Sequence, residues 1–262
     1  MRSAIAVLLA VVALTGCTAR PTPRPATGLP AALPDAREIR AALAERRSAL
    51  HGLRAWAGLD YTSPEESRRA KQLLVAERPD RLRLEVFSPL GAVFVLTAAD
   101  GALAAYDRSA STVYRGAASA ENLRRYAQVD LPVPLAVDLL LGTPPLDPTA
   151  TADVTADDGA IRLRADRRDG AQVIWLSPAL DPLRYETQDR DGRVVLRTTF
   201  EGWTAVDGAR VPSEVSLEMP ALQRSLLIEL RDIEVNPVLP PALFALQTPS
   251  NSREVRLDGA AP

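Results

Sequence analysis

The chain has 262 residues, 31 Lys+Arg against 33 Asp+Glu for a formal net charge of −2, one His, one Cys and 5% aromatic residues. A single cysteine leaves no disulfide, and a single histidine leaves no three- or four-ligand N/S zinc site and no His-based nucleophilic site except one through His51. No basic excess favours nucleic acid, and with so few aromatics the interior must be filled, or a cavity lined, mainly by Leu, Val, Ile and Ala.

Arg2 gives the chain a positive start, and Ala4 to Leu14 is an unbroken apolar run of 11 residues. That run is too short for a hydrocarbon core of ~30 Å, which takes roughly 20 residues, and it ends in small residues as a processed signal does. Leu14, Thr15, Gly16 and Cys17 then form the pattern of a bacterial lipobox, in which the thiol takes diacylglycerol and the new amino terminus a third acyl chain. Two or more chains hold a protein stably on a membrane. By resemblance to other lipoproteins, Thr18 after the cysteine favours the outer membrane. Removing residues 1–16 takes Arg2 alone among the charged residues, so the net charge goes from −2 to −3. Pro21, Pro23, Pro25, Pro30 and Pro34 punctuate a small, polar stretch read as a tether over 17–34. Extended at ~3.1 Å per residue, it would hold the folded part roughly 50 Å from the bilayer. Residues 35–262 read as one domain, with no second linker.

Asp35 and Glu38 make a capping box, and Ile39, Leu43, Leu50 and Leu53 follow at helical spacing, with Gly52 weakening the last turn. From Trp56 onward the signals are mostly strand. Asp-Gly pairs at 100–101, 158–159, 169–170, 191–192 and 207–208 favour tight hairpin turns. Alternating runs lie between them, such as Leu82, Leu84 and Val86, or Val215, Leu217 and Met219. Two helices interrupt the meander, one capped by Ser119 over 120–129 and one started by Pro134 over 135–141 and stopped by Gly142. Leu226, Ile228 and Leu230 alternate, then Ile233 and Val235 fall on the opposite phase, which predicts a bulge near Asp232. Pro240 and Pro241 lead into a short turn ending at Phe244. The order predicts a mainly β (α+β) fold: a strongly curved antiparallel sheet with helices covering its concave face.

The catalytic inventory is nearly empty. His51 falls in the first helix, where a solvated role is expected. Most carboxylates lie in Asp-Gly turns, though the pairs Glu65–Glu66 and Asp157–Asp158 leave a glycosidase-like arrangement open. No phosphate loop is present. No enzyme activity, cofactor or metal is expected.

The stretch 81–144 is the most telling. It reads as a strand at 81–87, then Ser88, Pro89, Leu90 and Gly91, a second strand at 92–97, a hairpin, a tyrosine strand at 113–116, a helix, a Leu-Pro-Val-Pro-Leu segment at 131–135 and Asp138 to Gly142. This order, with the lipobox and a first helix leading into a Trp/Gly strand, resembles the LolB-like outer-membrane lipoproteins of the LolA/LolB superfamily. The resemblance covers most of the chain up to about residue 148. It implies an incomplete antiparallel barrel closed by helices, with an apolar cavity for acyl chains. It further implies that the protein accepts acylated lipoproteins from a LolA-like periplasmic carrier and inserts them into the outer membrane. The exposed loop leucine needed for that insertion maps onto Leu90, within Pro89, Leu90 and Gly91. The segment 228–257 extends beyond what a LolB-like chain needs.

Trp56, Leu82, Leu84, Val93, Val95, Leu135, Leu139, Trp175 and Leu217 are the candidates for core or cavity wall, two roles that periodicity cannot separate. The expected partners are acyl chains of lipoproteins or other lipids, for a monomer. Three alternatives stay open: a lipid- or glycolipid-binding envelope lipoprotein without hand-off, a structural or sensory envelope protein with a filled interior, and a hydrolase with clustered carboxylates. Replacing the lipid acceptor, Cys17→Ala, is expected to abolish incorporation of labelled palmitate and move the protein out of the membrane fraction.

Overall fold

The computed structural model describes residues 28–89, 91–127 and 130–257. Helix α1 (Ala36–Ala49) opens on the expected capping box: the Glu38 N–H donates to Asp35 Oδ1 and the Asp35 N–H to Glu38 Oε2, each at 2.8 Å. It stops earlier than the spacing predicts. Leu50 is its extended C-cap, exposed His51 lies beyond it, and Gly52 and Leu53 open the first strand. The cause is a distant side chain. Asn236 Oδ1 accepts the N–H groups of His51 (2.9 Å) and Gly52 (3.3 Å), and its Nδ2 donates to the Ala49 carbonyl (2.8 Å), satisfying the helix end from across the fold. Nor does the folded body wait for Asp35: Leu29 and Leu33 already pack on the apolar cluster beneath α1.

Six strands follow as a meander: β1 (Gly52–Thr62), β2 (Ser67–Glu77), β3 (Arg81–Ser88), β4 (Gly91–Ala99), β5 (Ala102–Asp107) and β6 (Thr112–Ala117). Two short helices come next, α2 (Ala120–Ala127), whose first turn donates the Asn122 N–H to Ser119 Oγ, and α3 (Val133–Leu140). A second run then comprises β7 (Ala152–Asp157), β8 (Ala160–Arg167), β9 (Gly170–Leu176), β10 (Pro182–Gln188) and β11 (Val194–Glu201). A small separate hairpin, β12 (Thr204–Val206) with β13 (Ala209–Val211), precedes β14 (Glu214–Met219) and β15 (Arg224–Val235). The chain ends in a 3-10 turn at Pro241–Phe244 and β16 (Arg253–Arg256).

These strands form one 14-stranded sheet in the order β16-β6-β5-β4-β3-β2-β1-β15-β14-β11-β10-β9-β8-β7. The two meanders join where β15 returns to pair with β1, and every pairing is antiparallel except β16 with β6. The sheet is strongly curved and not closed, an incomplete barrel. The topology explains the helices. After β6 the chain must travel from one side of the sheet to its far edge at β7, which twelve strand spacings of ~4.8 Å would place nearly 60 Å away on a flat sheet. Curvature shortens that path, and α2 and α3 lie along it on the concave face, where Leu123, Val137 and Leu139 share one core with Leu53, Leu74 and Leu96. Helix α1 covers the other end of the same face, with Ile39 and Leu43 against Ile161, Leu163 and Ile174.

The turns obey local chemistry. Asp100–Gly101, Asp158–Gly159 and Asp207–Gly208 have positive φ at both residues (51° and 77°, 47° and 76°, 47° and 83°), the type I′ geometry that matches strand twist. The predicted bulge is present: Arg54 pairs with Glu234 but Trp56 with Arg231, and Asp232 takes φ 51°. The C-terminal extension is a strap over the convex face. Leu239 and Phe244 pack on Val75, Arg83 donates to the Leu243 carbonyl (2.6 Å), Arg115 donates to the Leu246 carbonyl (3.2 Å), and β16 then covers the β6 edge.

Gly170, at φ 142°, would place an added Cβ 1.8 Å from the Gln188 carbonyl oxygen, whereas Gly101 at φ 77° faces open space. Gly170→Ala is expected to cost about 2–4 kcal/mol of stability, and Gly101→Ala only about 1–2 kcal/mol for the left-handed backbone. Urea unfolding midpoints at unchanged slope would show the difference.

Candidate functional site

Side chains alternate along each strand, so register assigns a face to every residue. On the concave face, beneath α2 and α3, lies an apolar cavity walled by Leu74, Leu82, Leu84, Leu139, Leu217 and Leu226, among others, with the buried amide of Gln72 in the wall. Its volume is about 40 Å³. That admits a water or a few, since one needs roughly 10–15 Å³, and it is far below the roughly 300–1,000 Å³ of an ordinary ligand pocket. The interior as it stands is therefore nearly filled.

The sequence candidates divide between the two faces. Leu82, Leu84, Leu139 and Leu217 line the cavity, and half-buried Leu135 packs against the same core. Trp56, Val95 and Trp175 do not reach it. Trp56 is on the convex face, 47% exposed, and touches Phe87 with ring centroids 5.6 Å apart. Val95, between Glu85 and Tyr106 in register, also faces outward. Trp175 is buried on the convex face, with the Arg184 guanidinium 3.6 Å from its ring centroid and its Nε1–H donated to Asp157 at 2.7 Å. Val93 is the extra residue of a bulge, because Val86 pairs with Phe94 and Phe87 with Ala92. Pro89 and Gly91 sit exposed in the β3–β4 turn, while Leu90 and Cys17 lie outside the described residues.

What positions the helices is polar. Asp138 is 5% exposed in a helix otherwise made of apolar residues and accepts Arg47 at 2.5 Å on one carboxylate oxygen and Arg78 on the other. Arg78 also donates to Thr143 Oγ1 and, at 3.0 Å, to the Leu50 carbonyl. Burial, and then the adjacent charge of Arg47, hold the Arg78 guanidinium down to about 10. A second cluster mirrors the first. Asp181, also 5% exposed, accepts Arg46 at 2.5 Å and Arg210 at 2.7 Å, and its hydrogen bond raises the Arg210 value. Arg46 further lies 4.8 Å from the Trp203 ring centroid. Gly142, just past the Leu141 cap of α3, lets the backbone meet Trp203 and Pro212, where an added Cβ would come within 2.7 Å of both. Sequence reasoning missed these residues; a lone carboxylate in Val-Pro-Leu-Ala-Val-Asp-Leu-Leu was the available signal, since a buried charge requires cations.

Three of the four carboxylates in the two adjacent pairs have structural roles. Glu66 pairs with Arg68 at 2.6 Å, Asp157 holds Trp175, and Asp158 forms its turn. Among the described residues no group of three or more His, Cys, Asp or Glu is placed to hold a metal ion, and no helix is long and apolar enough to cross a membrane.

No family model and no curated protein matches the sequence. Solved structures match in fold. A DUF1329 family protein from Desulfovibrio piger superposes with TM-score 0.57 at 15% identity, covering 79% of this chain and 94% of its own. A LolA superfamily protein from Nitrosomonas europaea gives 0.55 at 12%, covering 82% and 99%. A structure described as a candidate outer membrane lipoprotein-sorting domain, from Vibrio parahaemolyticus, gives 0.52 at 15%, covering 79% and 94%. These likenesses are of fold, and the fold is LolA-like.

Removing one carboxylate strands two guanidiniums in a partly buried site. Asp138→Ala is expected to lose about 3–5 kcal/mol, against about 0–1 kcal/mol for Glu66→Ala at an exposed pair, both read from urea unfolding.

Proposed function

We propose that this chain is an outer-membrane-anchored lipoprotein that takes acylated lipoproteins from a periplasmic carrier into its apolar interior and passes them into the membrane. The observation that carries this reading is the cavity. It is walled by leucines on the concave face of an unclosed sheet and roofed by two short helices rather than by hydrogen-bonded strands. A triacylated cargo brings on the order of 40 methylenes at ~0.8 kcal/mol each, so crossing water unshielded costs roughly 30 kcal/mol. A carrier or acceptor must hide those chains without binding them more tightly than the bilayer does.

The filled interior fits the unloaded state. Lifting α2 and α3 from β2 and β3 would expose leucines that the incoming chains then cover, so apolar area is exchanged rather than lost. Such an exchange runs without fuel, because neither end state leaves much apolar surface in water. The lipobox at Cys17 supplies the anchor, and the turn holding Pro89, Leu90 and Gly91 supplies an apolar tip. Entry of Leu90 into lipid would gain ~1.5–3 kcal/mol.

The test is transfer of a labelled, carrier-bound lipoprotein into liposomes by the wild type beside Leu90→Glu. Transfer by the wild type with cargo trapped on the variant is expected. Acceptance of cargo by neither form would overturn the hand-off and leave a lipid-binding lipoprotein of the same fold.

A further inference from the structure

Antiparallel register places one set of turns together. The end of the sheet that carries the β3–β4 turn also carries the turns at 63–66, 108–111, 167–170, 189–193 and 220–223. The last of these is a 3-10 turn, Pro220–Leu222, closed by Gln223 at φ 49°. Pro220, Ala221 and Leu222 are all exposed, Leu222 by 44%. Beside this turn, at the start of β11, Val195 is 53% exposed, since Arg197 two residues on pairs with Glu218 in β14.

Exposed apolar residues on their own are ordinary. Here they coincide with cations that have no carboxylate partner among the described residues. The carboxylates of the turns at 167–170 and 189–193 are engaged: Asp169 with Arg167 at 3.3 Å, Asp191 with Arg193 at 3.0 Å, and Asp189 with the backbone N–H groups of Asp191 and Arg193. In the 63–66 turn Glu66 pairs with Arg68, while Glu65 is exposed. Arg168, Arg190 and Arg224 have no carboxylate partner among the described residues. Arg190 is spread over the neighbouring turn, donating to the Arg168 carbonyl at 3.2 Å. Arg224 stands opposite Met219 at the base of the leucine turn, and its Nε is buried without a hydrogen-bond partner.

An apolar turn with guanidiniums in it and in turns on the same end of the sheet matches the chemistry of a bilayer surface, with acyl chains inside and phosphates outside. We infer that this end of the sheet rests on an anionic lipid surface, with Leu222 entering the acyl layer and Arg168, Arg190 and Arg224 meeting headgroup phosphates. The inference rests on the proposed membrane anchoring and is independent of cargo hand-off. It makes the β14–β15 turn a second point of contact, which fixes how the molecule stands on the membrane.

Once Cys17 is acylated, Leu222→Cys leaves one free thiol, to be labelled with an environment-sensitive fluorophore in the full-length lipoprotein. Val238→Cys is the control, 98% exposed and beyond the opposite end of β15. On vesicles of phosphatidylethanolamine and phosphatidylglycerol, the label at 222 is expected to shift to the blue and to be quenched several-fold by brominated lipid, while that at 238 stays aqueous. Adding Arg224→Glu, or using phosphatidylcholine alone, should weaken the quenching at 222. Equal exposure at both positions would overturn the inference, and so would shielding at 222 that appears only when a protein partner is added. Partitioning of the wild type, measured in parallel, reports on the anchor itself, so loss of anchoring is distinguished from loss of this contact.

Discussion

Two adjacent arginines in the last turn of α1 hold the molecule together in a way that apolar packing does not. Arg46 reaches Asp181, between β9 and β10, and Arg47 reaches Asp138, on α3. Each carboxylate is shared with a second guanidinium, from Arg210 of β13 and Arg78 of the β2–β3 turn. One helix end is thereby tied to both halves of the sheet and to the helix that roofs the cavity. Only Ile39 and Leu43 of α1 are buried, so its apolar grip is narrow and slack in direction. Charged hydrogen bonds with two fixed acceptors supply the missing geometry. Their net stabilisation need not be large, because removing the charges from water offsets most of the attraction. Their effect is to make one arrangement of α1 and α3 far better than its neighbours.

The same chemistry bears on opening. A helix held only by leucines must expose them to leave, and nothing in water compensates. A helix held partly by Asp138 regains hydration of the carboxylate and of both guanidiniums as it departs, so the ionic part of the seam resists opening weakly once water arrives. The remaining cost is the apolar face of α3, and under the proposed function an acyl chain entering beneath it would cover that same surface. On the proposed function, the small cavity and the charged seam would be two aspects of one device: a nearly filled interior whose roof exchanges partners rather than losing them.

The fold was legible where local chemistry decides it. Asp-Gly turns, the Asp35 capping box, the helices after Ser119 and around Pro134, and the phase change at Asp232 each follow from a few neighbouring residues. What failed depended on distant ones. Leu50 and Leu53 fit a helical spacing, but Asn236, far along the chain, ends the helix at Ala49. On β1 the inward residues include Ala55 and Ala57, too small to mark a face, so Trp56 gave the stronger apolar signal and pointed the wrong way. Trp175 misled for a related reason: it is buried by arginines, beneath which an aromatic looks like any core residue. The role of 237–257 was hidden because the strap acquires meaning only from β3 and β6, which it crosses.

That strap bears on why the barrel stays open. The β6 edge is finished by β16, a short parallel strand carrying Arg253, Glu254 and Arg256, and the β7 edge carries Asp153 and Asp157, charges that discourage pairing with another chain. Each edge is therefore completed separately, and neither is left to seek the other. Closing the gap by strand pairing would lock it with a ladder of backbone hydrogen bonds, each costly to break in a dry interior. Leaving it to α2, α3 and the side chains beneath them makes closure a matter of packing and ion pairs, which part and re-form without unravelling the sheet. An open barrel with two guarded edges and a side-chain roof is what the proposed role, a reversible container for apolar chains, would require.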